Sequence, residues 1–277
     1  NYPAYVFARA REDGWRWDRL EDLFLLSLPL GILSVILYFP FYLGFSSQAG
    51  GILPNVMNPT RGAHLWVMWG TLLIPIFAYL IYSGVNFGVQ ESGVQELAPA
   101  TKRKPNWKLG ISLGLGFALL LWILSWAIGW VGSLIEKDFV FMFLSSQGMS
   151  ASQFFNATTL RRLTYIGSLI TLLAILIPSL AYLFADNHKL QIENPQVVNR
   201  QSSIVNQFTL LLLTLGTILV LVPDFVYLRD QFGYRINTIF KFYYQAWMLW
   251  SLVAAFATAY LLQNLRGLKD ILFRVLI

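Results

Sequence analysis

The chain has 277 residues, of which 56% are hydrophobic, 16% aromatic and only 12% charged, and its mean hydropathy is +0.57. This composition excludes an ordinary soluble domain and indicates a protein that crosses the membrane several times. The lack of cysteine excludes disulfides and thiolate chemistry, and two histidines exclude a histidine-rich metal site. The net charge of +6 comes from Arg and Lys at the ends of apolar segments, which favours membrane anchoring and excludes nucleic acid as a partner.

Residues 1–21 combine Tyr, Phe and Trp with four arginines. Because this segment is too charged to span a bilayer, it is predicted to lie at the membrane interface, with a plain cytoplasmic tail as the alternative. The chain starts at Asn1 without Met and stops at Ile277 within an apolar run. We therefore interpret it as a fragment of a larger protein, so that any number of spans is a minimum.

Apolar runs of bilayer length follow in residues 22–263. They predict six spans at about residues 23–45, 65–85, 109–135, 163–185, 204–222 and 239–262. The fold class is thus an all-α polytopic transmembrane helix bundle with at least six spans. Residues 264–277 are predicted to form a cytoplasmic tail or the start of a further span.

Two features between and within these spans predict local structure. Gly110 and Gly114 have the small-xxx-small spacing that lets membrane helices approach closely. The apolar FVFMFL run within residues 136–162 is too short to span, so a re-entrant or interfacial helix is expected there.

The distribution of positive charge predicts which side each loop faces. With six spans, 13 Lys and Arg residues fall on the side of the N-terminus and 7 on the other side. The excess places the N-terminal segment in the cytoplasm and residues 223–238 outside, in a multi-pass cell membrane. Arg61, Arg229 and Arg235 then share the disfavoured outer face, and an anionic ligand such as a lipid phosphate would explain them.

The stretch 222–250 concentrates charged and polar side chains between two apolar runs. Charge at the edge of a bilayer is costly unless it is paired, hydrated or bound to a ligand, so this clustering predicts a functional site. The candidate residues are Asp224, Arg229, Asp230, Arg235, Asn237, Thr238, Lys241 and Tyr244, with Arg61 from the first loop.

If the sixth helix begins near Arg235, then Asn237, Lys241 and Tyr244 share one face, which is expected to point toward protein or a wet cavity. Asp224 and Asp230 could hold the arginines, accept sugar hydroxyls or bind a divalent cation. The alternative is a salt-bridge lattice that only fixes the loop geometry. Because the arginines should keep both carboxylates ionised, no catalytic residue is assigned.

The segment DFVYLRDQFGYRINTIFKFYYQAWMLW, together with FPFYLGFSSQAGGILPN and PTRG, resembles the "YYY" family of archaeal and Chloroflexi polytopic membrane proteins of unknown function. Those proteins are similar in outline to GT-C glycosyltransferases, which use polyprenyl-phosphate sugars. The family often has Glu at the position of Asp224. The resemblance implies that six residues belong to the shared motif: Asp230, Arg235, Asn237, Thr238, Lys241 and Tyr244.

Two functions remain open. The first is glycosyl transfer from a polyprenyl-phosphate-linked sugar at the outer face, with Arg229, Arg235 and Lys241 on the phosphate. The second is a non-catalytic subunit or scaffold of a larger photosynthetic or respiratory membrane complex; a transporter fits less well. GT-C enzymes carry their catalytic carboxylate in the first external loop, and residues 44–63 contain no Asp or Glu. Either that loop lies upstream of Asn1 or the protein is not catalytic.

Overall fold

A computed structural model describes residues 6–7, 17–44, 50–85, 104–185, 200–231 and 234–277. Most of the predicted interfacial segment at residues 1–21 lies outside these ranges. The described part contains six long helices: α1 (Trp17–Gly44), α2 (Gly62–Val85), α3 (Trp107–Ile135), α6 (Gly167–Leu183), α7 (Arg200–Leu221) and α8 (Ile236–Asn264). Its short elements are β1 (Ile52–Pro54), α4 (Lys137–Ser146), α5 (Phe154–Thr164), β2 (Val226–Leu228) and α9 (Leu268–Leu276).

The long helices have the length and composition of membrane spans. Five of them, α1, α2, α3, α7 and α8, are long and apolar enough to cross a bilayer individually. Helices α5 and α6 qualify as a sixth span only together, and their axes differ by 70°. The predicted all-α polytopic bundle is therefore confirmed.

The connection before α6 differs from the prediction. The sequence predicts the fourth span at residues 163–185, but α5 ends at Thr164 and α6 begins at Gly167. A Cβ atom on Gly62 would lie only 3.0 Å from the carbonyl carbon of Gly167, so the starts of α2 and α6 are in backbone contact. The chain turns at this contact instead of continuing straight. Upstream, the apolar FVFMFL run lies within the short helix α4.

The core lies among α2, α3, α6, α7 and α8. Trp69 and Trp250 are both fully buried and meet edge to face, with ring centroids 5.1 Å apart. Gly110 and Gly114 bring α3 against Ile177 of α6, as the small-residue spacing predicted. Helix α1 is different, because none of the residues in its apolar window is buried.

One end of the bundle carries a small β-ribbon that the sequence did not predict. Strands β1 and β2 pair antiparallel, with Leu53 opposite Tyr227. The ribbon continues through backbone hydrogen bonds between residues 50–51 and Arg229. The starts of α2, α6 and α8 and the ends of α3 and α7 meet at this end, which we call the ribbon end.

Candidate functional site

Asp224 is the centre of the ribbon end. It lies in the turn Val222–Asp224 that closes α7, and only 7% of the residue is exposed. Its Oδ1 accepts hydrogen bonds from the backbone N (3.2 Å) and Oγ1 (2.5 Å) of Thr60 and from Nη1 of Arg235 (2.6 Å). Its Oδ2 accepts one from Oγ of Ser168 at 3.2 Å. The carboxylate therefore ties the loop before α2 to α6 and α8.

Arg235 occupies the position just before α8 and is almost as buried as its partner. The side chains of Arg235 and Asp224 are 12% and 9% exposed. Arg235 also donates to the carbonyl of Pro223 at 3.3 Å and to Oγ1 of Thr60 at 3.2 Å. The carboxylate thus accepts four hydrogen bonds, one of them charge-assisted, which leaves its oxygens engaged by protein donors.

A cavity of about 850 Å³ opens beside this pair, between the loop before α2 and helices α2, α5 and α8. We call it the basic cavity, because Arg61, Arg161, Arg235 and His64 line it. Arg61 donates to the hydroxyl of Tyr165 at 3.3 Å and lies 4.8 Å from its ring centroid.

Arg161 contacts Met57, donating to its carbonyl at 3.4 Å and to its Sδ atom. Within the described residues, neither Arg61 nor Arg161 has a carboxylate at ion-pair distance. These two guanidinium groups are therefore available to an anion that enters the basic cavity.

The rest of the basic cavity is apolar. Leu65, Met68, Trp69, Leu160 and Ile239 form its walls. Cationic groups beside an apolar surface suit an amphiphile with an anionic headgroup.

Arg162 supports the loop that carries Thr60 and Arg61. It is 6% exposed and donates from Nη2 to the carbonyl of Asn55 at 3.1 Å. Its guanidinium carbon lies 4.9 Å from the ring centroid of Phe225. Asn55 in turn donates to the carbonyls of Asn58 and Asp224, each at 3.1 Å. These hydrogen bonds hold the loop against α5 and against the turn at Asp224.

Other predicted site residues lie apart from the basic cavity. Arg229 donates to Oε2 of Glu136 at 3.0 Å and stacks on Phe139, with 3.5 Å from the guanidinium carbon to the ring centroid. Asn237 donates to Oδ2 of Asp230 at 2.8 Å. Thr238 is buried, and its hydroxyl accepts a hydrogen bond from the backbone N of Leu228 at 2.9 Å.

Lys241 and Tyr244 are exposed and do not line the basic cavity. The buried face of α8 is formed by Tyr243, Ala246 and Trp250, so Lys241 and Tyr244 do not point into the packed bundle. Of the predicted residues, the structure therefore brings together Arg61, Arg235 and Asp224.

Sequence reasoning missed several residues of the site, namely Thr60, His64, Arg161, Arg162 and Tyr243. Arg161 and Arg162 could have been found from the sequence, because the charge distribution places them on the same disfavoured side of the membrane as Arg61. Thr60, His64 and Tyr243 gave no signal of their own, because their roles depend on contacts between distant parts of the chain.

The two aspartates do not form a metal centre with their described neighbours. In the part of the chain that the structure describes, no three His, Asp or Glu residues come close enough to bind one ion. The oxygens of Asp224 accept hydrogen bonds from a backbone N–H and from a guanidinium group. A metal cation would need oxygen ligands around it instead of these donors.

Apolar helices of bilayer length around a buried charged pair define an integral membrane protein with a polar site at one end of its bundle. The chain belongs to a family of uncharacterized membrane proteins (DUF2298), whose model matches residues 6–250. This match covers both cavity walls and the buried pair, and it confirms the expected membership of a membrane family of unknown function. No curated protein and no solved structure matches the chain at a significant level.

Proposed function

We propose that the protein binds the phosphate headgroup of a polyprenyl-linked sugar in the basic cavity, at the outer face of the membrane, as the donor of a glycosyl transfer. One observation carries the proposal: Arg61 and Arg161 line one cavity from two separate segments, and neither meets a carboxylate among the described residues. A phosphate between them would accept charge-assisted hydrogen bonds from both guanidinium groups.

The surroundings fit a lipid-linked phosphate better than a soluble one. Apolar side chains of α2 and α8 continue from the cations along the cavity wall, including Met68 and Ile239. Met68 is 60% exposed, so the wall reaches the surface of a membrane-spanning helix. A polyprenyl chain could follow this wall while its headgroup stays at the ribbon end.

In the proposed reaction, an acceptor hydroxyl forms a bond to the anomeric carbon and the bond from that carbon to the phosphate oxygen breaks. The lipid phosphate leaves with the electron pair, and arginines stabilise its charge. Asp224 acts by positioning Arg235 and Thr60, because both of its oxygens are already engaged by protein donors. The proton of the acceptor hydroxyl passes to the departing lipid phosphate, which gains a negative charge when its bond to the sugar breaks.

A binding assay on the purified protein in detergent tests the proposal. Polyprenyl monophosphate is compared with the polyprenyl alcohol of the same chain length, and we expect the phosphate to bind at least about tenfold more tightly. Arg61→Gln and Arg161→Gln should each remove most of that difference.

Arg266→Gln is the matched control, because Arg266 is exposed and follows the far end of α8. It should bind the phosphate as the wild type does. Equal affinity for phosphate and alcohol, or wild-type binding by both cavity variants, would contradict a phosphate site here.

A second candidate is a non-catalytic subunit of a larger membrane complex, and α1 favours it. Large apolar side chains along this helix are more than half exposed, including Leu37, Tyr38 and Leu43. Such a surface could contact lipid or another subunit. If the protein binds no polyprenyl phosphate but co-purifies from mild detergent with stoichiometric partner chains, and leucine-to-serine changes on α1 release them, this function replaces the first.

A further inference from the structure

A second cavity at the ribbon end is lined by residues different from those of the basic cavity. Its volume is about 490 Å³, within the range of ligand sites in proteins. It lies between the end of α3, α4, the start of α5 and β1, with Ile128, Val140, Phe143 and Phe154 among its lining residues. We call it the apolar cavity.

Exposed apolar side chains of a membrane-length helix line the apolar cavity. Trp130 and Ile135 of α3 line it, and they are 59% and 76% exposed. Helix α3 has the length and composition of a membrane span. A ligand would therefore enter from the bilayer, and the lining suits a hydrocarbon chain.

The rim of the apolar cavity presents one cation beside one anion. Nη1 of Arg229 lies 3.0 Å from Oε2 of Glu136, and the two side chains are 34% and 54% exposed. Arg229 is held in place by Phe139 and by the backbone at Gly50, where an added Cβ would lie 3.0 Å from Cδ of the arginine. Because the pair is partly exposed, a headgroup can insert against both charges without a large loss of pairing energy.

We propose that the apolar cavity binds an acyl chain of a phospholipid with an ethanolamine headgroup, with the lipid phosphate on Arg229 and the primary ammonium on Glu136. Charge complementarity carries the assignment. An anionic phospholipid would also place its phosphate on Arg229, but it has no headgroup cation to offset the repulsion between that phosphate and Glu136. A choline headgroup has a trimethylated nitrogen and cannot donate a hydrogen bond to that carboxylate.

This site is separate from the proposed polyprenyl-phosphate site. Arg229 lines the apolar cavity and Arg61, Arg161 and Arg235 line the basic cavity, and the described residues lining the two cavities do not overlap. Either site can therefore fail its test without affecting the result for the other.

For the test, the full chain is reconstituted in nanodiscs that contain equal amounts of three phospholipids with identical acyl chains. Their headgroups are ethanolamine, choline and glycerol. The protein is then extracted from the nanodiscs with detergent. The lipids retained after extraction are quantified by mass spectrometry. We expect the ethanolamine lipid to be enriched about tenfold over each of the others, the ratio for one charge-assisted hydrogen bond.

Three variants separate the contributions of headgroup and chain. Glu136→Gln should abolish the preference for ethanolamine over glycerol headgroups, and Arg229→Gln should reduce retention of every phospholipid. Ala127→Trp should fill the cavity and reduce retention of all three lipids, because Ala127 lines it. If that variant does not fold, the two exposed charge variants still decide the question.

Helix α9 offers a matched control, the ion pair between Nε of Arg274 and Oδ1 of Asp270, at 2.9 Å. Asp270→Asn and Arg274→Gln should retain lipids as the wild type does. The proposal is overturned if the three lipids are retained equally by the wild type, or if Glu136→Gln keeps the wild-type preference.

Discussion

Asp224 and Arg235 show how a charged pair is kept at the end of an apolar bundle. Removing both groups from water carries a large desolvation cost, which their attraction offsets only when the remaining hydrogen-bonding positions are filled. Here Thr60 and Ser168 donate to the carboxylate, and Pro223 accepts from the guanidinium. The pair therefore holds the segments of the site in place. Arg61 and Arg161, which have no carboxylate partner among the described residues, can contact a ligand.

Asp224→Asn tests this role at the level of one residue. The substitution keeps the size of the side chain but leaves Arg235 without a counter-charge, and we expect a loss of about 3 kcal/mol in stability. Thermal unfolding in detergent measures it. Asp270→Asn, which breaks an exposed pair, should cost at most about 1 kcal/mol. Equal unfolding temperatures for the two variants would contradict a stabilising role for the buried pair.

Among the helices, the contact between α3 and α6 depends on the absence of side chains on one face of α3. A Cβ atom at Gly110 would lie 2.7 Å from the carbonyl oxygen of Ile177 and 2.8 Å from the Cβ of Ala181. One at Gly114 would lie 2.7 Å from Cγ1 of Ile177. At Gly110 the close neighbours include backbone atoms of α6, which cannot move aside, so the helices would have to separate.

Gly110→Ala should therefore destabilise the bundle by about 1–3 kcal/mol, the range for overpacking a close contact. Gly116 lies on the same helix with no atom within 4 Å of an added Cβ. Gly116→Ala should consequently be neutral or stabilise by up to about 1 kcal/mol through helix propensity. The unfolding temperatures of the two variants, measured in the same detergent, test this difference in stability. If both substitutions change the unfolding temperature equally, the close contact between α3 and α6 does not depend on the missing side chain at Gly110.

For the whole molecule, the two cavities lie at the same end of the bundle, so the orientation of the chain decides where both proposed ligands bind. The charge distribution predicts that residues 223–238 face outward and that the region after α8 faces the cytoplasm. The chain contains no cysteine, so a single introduced thiol reports its side of the membrane without background.

Tyr234→Cys and Lys269→Cys use this property, because both positions are exposed and lie beyond opposite ends of α8. A membrane-impermeant maleimide should label the thiol at position 234 in intact cells, and the thiol at position 269 only after permeabilisation. The reverse pattern would place both cavities on the cytoplasmic side and would refute glycosyl transfer at the outer face.

The sequence by itself determined the class of this protein. Apolar runs of bilayer length predict helices, because the backbone of a membrane span must satisfy its own hydrogen bonds. The small-residue spacing at Gly110 and Gly114 predicted a close helix contact, and the charge distribution singled out Arg61 and Arg235. These signals are local in the chain, so they could be read without a structure.

Only the tertiary structure decided which of the charged side chains meet. Thr60 and Asp224 are 164 residues apart, and Thr60 and Arg235 are 175 apart. Local periodicity placed Lys241 and Tyr244 on one face of α8, but it could not show that Tyr243 faces the core and they do not. Contacts between such distant residues follow from how the helices pack, and this packing separates Arg229 from Arg235 although they are neighbours in sequence.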